Sequence, residues 1–408
     1  MNTKTWMCVV AMLLTTVAAA AQTLAEALAQ IEENNTTLRA MRAQLNADKA
    51  KGRSTLALDA PEVEFSYLWG SPAPMPGRKD VSVKQSFDFG TLTGSKRRVV
   101  QAEAEVNEMS YQTARQAILL EAEKVLIQLA YADTLLRLGQ RRLNEARLLS
   151  QAWQKKIANG AALAIDASKI DLEQTAIENY VSRIALERDT WQSELVRLNG
   201  GLLMHNAQCT TNGHDRKGVM HNYQNDFTLK PFDEWYADIV GTAPQTQYAT
   251  ALLRLAEAEV VAARRDNLPS VSLGYVGELI KDDNYQGVSV GMAIPIWGSR
   301  KRVQAARASR VAAEETKQDA ALQLRHALQQ KYERTRALQQ MAERCEKRGR
   351  EQDIAPRLRR ALDEGNLTLQ DYLTEMRVYH ENTQNIIEAW RDYHLSLAEL
   401  AVFGGISR

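Results

Sequence analysis

The sequence predicts an α+β protein, with long antiparallel coiled-coil helices joined to short strand pairs and the whole pattern written twice along 408 residues. Three observations predict it. No proline lies between Pro76 and Pro231, and so long a stretch without breakers reads as long helices. Apolar residues recur at heptad spacing over lengths beyond an ordinary globular helix. The chain also matches itself at shifts of 204 to 208 residues.

Composition narrows the function classes. The 51 Lys+Arg and 50 Asp+Glu leave a net charge of +1, which gives no basic excess for a nucleic-acid partner. A mean hydropathy of -0.39 excludes a bundle of membrane-spanning helices. Residues 1–21 combine Lys4, an apolar stretch over 7–17 and four closing alanines, Ala18 to Ala21. They read as a secretory signal peptide cleaved between Ala21 and Gln22. A retained anchor is the competing reading, but the apolar core is too short to span a bilayer. Cys8 leaves with that segment. Cys209 and Cys345 remain, and two distant thiols make no disulfide framework.

Repeat 1 occupies 22–199 and repeat 2 occupies 244–408, with a connecting segment over 200–243. Four matches fall in the same order in both. Pro61-Glu-Val-Glu-Phe-Ser-Tyr67 parallels Pro269-Ser-Val-Ser-Leu-Gly-Tyr275. Ser82-Val83 with Phe87-Asp-Phe89 parallels Ser289-Val290 with Ile294-Pro-Ile296. Ser95-Lys-Arg-Arg-Val99 parallels Ser299-Arg-Lys-Arg-Val303, and Gly160 with Asp166 parallels Gly365 with Asp371. Each repeat therefore reads as helix, strand, strand, very long helix, tight turn, helix. In repeat 1 these are a helix over 24–53, strands at 61–70 and 80–89, and a helical hairpin over 93–199 with its tip at 159–163. In repeat 2 the strands fall at 270–277 and 287–296, and the hairpin spans 298–403 with its tip at 364–368.

The strands alternate with period two. Val63, Phe65, Tyr67 and Trp69 alternate with Glu62, Glu64, Ser66 and Leu68. Val81, Val83, Phe87 and Phe89 share one file, broken by Gln85. Val271, Leu273 and Tyr275 repeat the pattern, as do Val288, Val290, Met292, Ile294 and Ile296. Polar turns at 70–77 and 281–284 separate the strands of each pair. Such strands suit a transmembrane β-barrel, and they equally suit a soluble sheet with one buried face. Four strands cannot close a barrel, and lipid does not tolerate an open edge. A membrane reading thus requires several chains. Two would give about 8 strands around a filled interior, and three about 12 around a lumen.

The helix over 93–158 would run about 100 Å. Its seam reads Val125, Ala132, Gly139, Ala146, Trp153, with Leu129, Leu136, Leu143, Ser150, Ile157 four residues on. The second long helix carries Ala321, Leu328, Thr335, Ala342, with Leu324, Lys331, Leu338, Cys345. Cys345 reads as a small core residue and Pro356 as a kink.

Signal peptide, duplicated halves, strand pairs and long helices meeting at Gly-containing turns together resemble the TolC-type family of outer-membrane efflux proteins. The segments carrying the resemblance are Gln85-Ser-Phe-Asp-Phe-Gly90 leading into Ser95-Lys-Arg-Arg98, and Ile294-Pro-Ile-Trp-Gly298 leading into Ser299-Arg-Lys-Arg302. The turns from Asn159 to Asp166 and from Glu364 to Leu373 carry it at the other end. The resemblance implies a homotrimer in outer-membrane lipid, with a transmembrane β-barrel completed by trimerisation and an α-helical barrel extending into the periplasm. It implies docking of a periplasmic adaptor (membrane fusion) protein, and with it an inner-membrane pump. The docking residues would be Asn159, Gly160 and Ala161 in one tip and Glu364, Gly365 and Asn366 in the other. Asp371 matches a family position at the narrow pore aperture, with Glu375 beside the position of a second acid. Where the family places a basic residue after the tip glycine, this chain has Leu367, a departure from the family's aperture-locking network. Asp371 then has a second reading, as a helix-capping residue, and Asp166 is read as a helix-start residue.

The function implied is a passive exit duct of a tripartite efflux pump for small molecules or metal ions. The alternatives are a type I protein-secretion duct, or a periplasmic coiled-coil scaffold without a membrane barrel. No Gly-rich phosphate loop, HExxH or CxxC pair occurs, so no enzyme and no cofactor is assigned. His205, Cys209, His214 and His221 are candidate Zn²⁺ or Cu ligands by residue type. Their spacing matches no established metal motif, and no metal site is assigned.

Overall fold

The structure, a computed structural model, describes residues 24–72, 75–204, 230–280, 283–295, 299–351 and 354–404. In chain order the elements are α1 (Leu24–Asn34), α2 (Thr36–Ser54), β1 (Glu62–Leu68), β2 (Arg78–Phe87), α3 (Phe89–Leu92), α4 (Ser95–Ala158) and α5 (Ala164–Leu198). There follow α6 (Phe232–Ile239), α7 (Pro244–Arg265), β3 (Ser270–Ile280), β4 (Asp283–Ala293), α8 (Ser299–Glu351), α9 (Ala355–Asp363) and α10 (Leu369–Ala401). The fold is mostly helical with one small antiparallel sheet. No described helix is long and apolar enough to cross a membrane.

Several expected elements are recast. The helix read over 24–53 is interrupted at Asn35, whose side-chain oxygen accepts the Leu38 N–H at 3.0 Å and so caps α2. Its amide also donates to the Leu198 carbonyl at 2.8 Å. The second strand stops at Phe87, and Phe89 opens the short helix α3 with Asp88 as its cap. The turn read at 281–284 is shorter, because Asp283 already pairs with Ile280. The kink read at Pro356 is a break: α8 ends at Glu351 and α9 restarts at Ala355, with the proline in its first turn, where no backbone N–H is required. Residues 1–23 and 205–229, including His205, Cys209, His214 and His221, lie outside the described residues.

The chain forms two compact units, each drawing on both halves of the sequence. One is built within Met1–Arg39, Arg115–Trp235 and Leu328–Arg408. Among the described residues its helices bury several apolar clusters. In one, Ile127, Tyr131 and Leu135 of α4 meet Ile184 of α5, Ala342 of α8 and Trp390, Tyr393 and Leu397 of α10. In a second, Leu126 and Leu129 of α4 meet Leu28 and Ile31 of α1 and Leu195 and Leu198 of α5. Over this stretch α4 is therefore buried nearly all round, more widely than a single heptad seam implies. Gly139 on that seam permits close approach, since a Cβ there would lie 2.9 Å from Val181. Thr335, fully buried, hydrogen-bonds Ser396 at 2.7 Å, and Cys345 is a half-buried free thiol.

The other unit comprises Ala40–Ala114 and Tyr236–Ala327 and holds the sheet. The strand order is β1-β2-β3-β4, every pair antiparallel, so two hairpins far apart in sequence join through β2 and β3. Helix α2 packs on the start of α4. Gly52 fits against Val100, where a Cβ would lie 2.7 Å away, and Lys49 pairs with Glu108 at 2.9 Å.

Candidate functional site: a two-faced sheet and paired hairpin tips

Register turns the alternating strands into two chemically distinct faces. Val63, Val83, Tyr275 and Val288 lie in one cross-strand row. Neighbouring rows on the same face hold Phe65 with Val81, Leu273 with Val290, and Phe87 with Val271 and Met292. This apolar face is open: Phe65 is 66% exposed, Val290 73% and Val288 81%. A soluble sheet would cover such a face. The opposite face carries Glu64 with Ser82, Ser66 with Asp80 and Glu278, and Lys84 with Gly274 and Ser289. Arg78 there lies 2.8 Å from Asp80 and 3.1 Å from Glu278. Gly274 and Gly291 keep this face narrow; a Cβ on either would lie within 2.6 or 2.4 Å of a serine hydroxyl on the next strand. Both outer edges, of β1 and of β4, pair with nothing among the described residues.

The two hairpin tips share one backbone solution. Gly160 at φ 72° and Gly365 at φ 76° each end a helix in the left-handed region. The residue after each closes a Schellman turn, Ala161 N–H to Lys156 O at 2.8 Å and Asn366 N–H to Ala361 O at 2.8 Å. Asn159, Gly160, Ala161, Glu364, Gly365 and Asn366 are all exposed. Beneath them one apolar cluster joins the tips, with Trp153 and Ile170 from the first hairpin and Leu362, Leu369 and Tyr372 from the second. Leu367 packs on that cluster, which gives the missing basic position an anchoring role instead. Exposed Leu163 and Ile165 follow the first tip and were not singled out by sequence reading. Their apolar type in a helix start was the available signal.

Asp371 stands at the third position of α10. Thr368 caps that helix, accepting the Asp371 N–H at 3.1 Å and donating its hydroxyl to the Asp371 carboxylate at 2.6 Å. Glu375 follows one turn later on the same face, exposed. Asp166 occupies the matching first turn of α5, 3.5 Å from Lys169. Among the described residues no group of three His, Cys, Asp or Glu is placed to hold a metal ion.

The sequence matches no protein-family model and no curated protein. Its fold matches solved structures. A structure of CusC, described with transmembrane channel formation, superposes with a TM-score of 0.75 at 14% identity, covering 95% of this chain and 93% of that one. The outer membrane protein VceC from Vibrio cholerae matches at 0.72 and 16% identity, over 94% and 96% of the two chains. The open state of the Neisseria gonorrhoeae MtrE outer membrane channel matches at 0.73 and 16% identity, over 94% and 89%. The chain thus has the fold of these outer-membrane channel proteins over nearly all its length.

Proposed function

We propose that the chain is the outer-membrane exit duct of a tripartite efflux pump, working as a homotrimer that extends into the periplasm. The observation that carries the reading is the sheet: an exposed apolar face across four strands, a polar opposite face, and two open edges. Strands β3 and β4, of 11 residues each, would span about 25 Å when tilted in a barrel wall, the height of a bilayer's apolar band. An even number of alternating strands lets β4 of one copy lie antiparallel to β1 of the next, so identical copies can continue one sheet. Three copies supply roughly 12 strands, with the polar face lining a lumen. The internal duplication is the source of the two strand pairs, and the fold shared with outer-membrane channels supports the same reading.

The hairpin tips are the proposed contact with a periplasmic adaptor and, through it, an inner-membrane pump. Asp371 and Glu375 are the proposed acidic aperture. Small molecules or metal ions would pass by diffusion, and the chain performs no chemistry on them.

Purified protein in detergent should sediment as a trimer and conduct ions in planar bilayers. A monomer that stays in water and never enters bilayers would defeat the reading. Asp371→Asn with Glu375→Gln should reduce the preference for cations by several-fold; unchanged selectivity removes both from the aperture. Ala161→Arg with Asn366→Arg should abolish co-purification of the adaptor while conductance persists.

A further inference from the structure

The chain enters and leaves the sheet at one end. Glu62 and Ser270 begin strands there, and Phe87 and Ala293 finish them. The polypeptide flanking that end is basic. Lys51 and Arg53 close α2, and Arg264 and Arg265 close α7. Lys96-Arg97-Arg98 and Arg300-Lys301-Arg302 open the long helices. Over 51–61, 87–100, 264–269 and 293–303 these ten cations meet three acids, Asp59, Asp88 and Asp266, in a chain of net charge +1.

Within the two triplets only Lys96 is paired, 3.0 Å from Asp88. Arg97, Arg98, Arg300, Lys301 and Arg302 are exposed and form no ion pair with a described residue. Cations in a helix's first turn oppose the helix dipole. The helices leaving the two tips carry Asp166 and Asp371 at that position instead. An unpaired basic cluster in an unfavourable place fits an anion supplied from outside the chain.

A groove of about 1450 Å³ lies between α2 and the start of α4. Lys51, Arg53 and Arg97 line it together with Leu56, Leu92 and Val100. Asp48 and Glu103 are its acids, and Asp48 already accepts a bond from Gln44 at 2.9 Å. Leu92 is 59% exposed. Guanidinium groups beside open aliphatic surface fit a phosphodiester joined to an acyl chain, and do not fit a wholly polar anion.

We propose that this end of the sheet carries a binding surface for anionic phospholipid. The groove seats one lipid, its phosphate against Lys51, Arg53 and Arg97 and its chain against Leu56 and Leu92. The unpaired triplet residues extend the surface around the same level. The proposal rests on the membrane-duct reading, because the sheet's apolar face is what brings headgroups to this height.

The test reconstitutes the full chain into phosphatidylcholine vesicles with and without about one third phosphatidylglycerol. Lipid retained after detergent extraction is then measured by native mass spectrometry. Wild type should hold phosphatidylglycerol several-fold above its supply. Lys51→Gln with Arg53→Gln and Arg97→Gln should cut that enrichment roughly tenfold, while Arg53→Lys with Arg97→Lys keeps most of it. Equal enrichment in wild type and the Gln variant, or none in a wild type that still inserts and conducts, overturns the lipid site and leaves the duct standing. Displacement of the lipid by millimolar inorganic phosphate would show a simple anion site, which also overturns it. A wild type that enters neither vesicle overturns both readings.

Discussion

His394 lies at the centre of the helical unit, 2% exposed, stacked on Trp390 and with its Nδ1 2.6 Å from the Tyr131 hydroxyl. Burial pushes its pKa down to about 4, and burial with the nearby Arg142 does the same to His380. The unfolded chain takes up these protons near pH 6.5, so between 6.5 and 4 it binds more protons than the folded one. Stability is therefore whole above pH 6.5 and declines as pH falls toward 4, by up to about 3 kcal/mol for His394. Urea unfolding across that range should show the decline, and His394→Gln should remove about half of it, the remainder belonging to His380; a flat wild-type profile would contradict the buried neutral rings. At the tips, Gly160→Ala and Gly365→Ala should each cost about 1 kcal/mol, because an L side chain strains the left-handed turn. Nothing within 4 Å would meet either Cβ, so the cost is conformational and not steric. The tip glycines were legible in the sequence, since a turn between long helices calls for a residue free at positive φ. His394 was not, because its setting depends on Tyr131 of α4, 263 residues away in sequence.

Helix α5 shows how one element can carry two stripes. Ile170, Ile177 and Ile184, seven residues apart, are buried within the chain. Ile165, Leu172 and Leu186 lie on the opposite face and are 59%, 73% and 70% exposed. The two rows differ by two positions, or about 200° around the helix. Ile177→Ala should cost about 2–5 kcal/mol in denaturant unfolding, as an ordinary core truncation. Ile165→Ser with Leu172→Ser should leave the unfolding of a single copy within about 0.5 kcal/mol of wild type. It should, however, weaken association of copies, seen as a shift to smaller species in light scattering. The opposite pattern would mean the exposed stripe serves the chain's own fold. Thr368→Ala removes the cap of α10 and should cost about 1 kcal/mol by the same unfolding assay.

For the whole molecule, the sheet is what a single copy leaves incomplete. Its apolar face, and two edges that pair with nothing among the described residues, are costly in water and, with the edges open, costly in lipid as well. The proposed joining of copies edge to edge would resolve both problems together. Val83→Asp with Val288→Asp, on one apolar row, should therefore prevent bilayer insertion while far-ultraviolet circular dichroism stays helical. Insertion at wild-type efficiency would place that face away from lipid. The expected depth dependence is a few kcal/mol per charge at mid-bilayer, with Asp costing less than Arg or Lys.

Periodicity is written into the order of residues: period two in the four strands, heptads in the long helices, and left-handed glycines at both tips. These are local consequences of backbone geometry and survive any arrangement of the elements. The Asn34-Asn35 step that breaks the first helix is also local, but it lies within a continuous apolar periodicity that hides it. That Val63, Val83, Tyr275 and Val288 form one continuous row follows from the folded arrangement alone, because β2 and β3 pair across more than 180 residues of chain. That arrangement likewise decided that Asp371 is held by Thr368, and that Leu367 anchors the tip where a basic residue was expected. Which face of an element is covered is a property of its neighbours, and a periodic sequence names the faces without naming what lies against them.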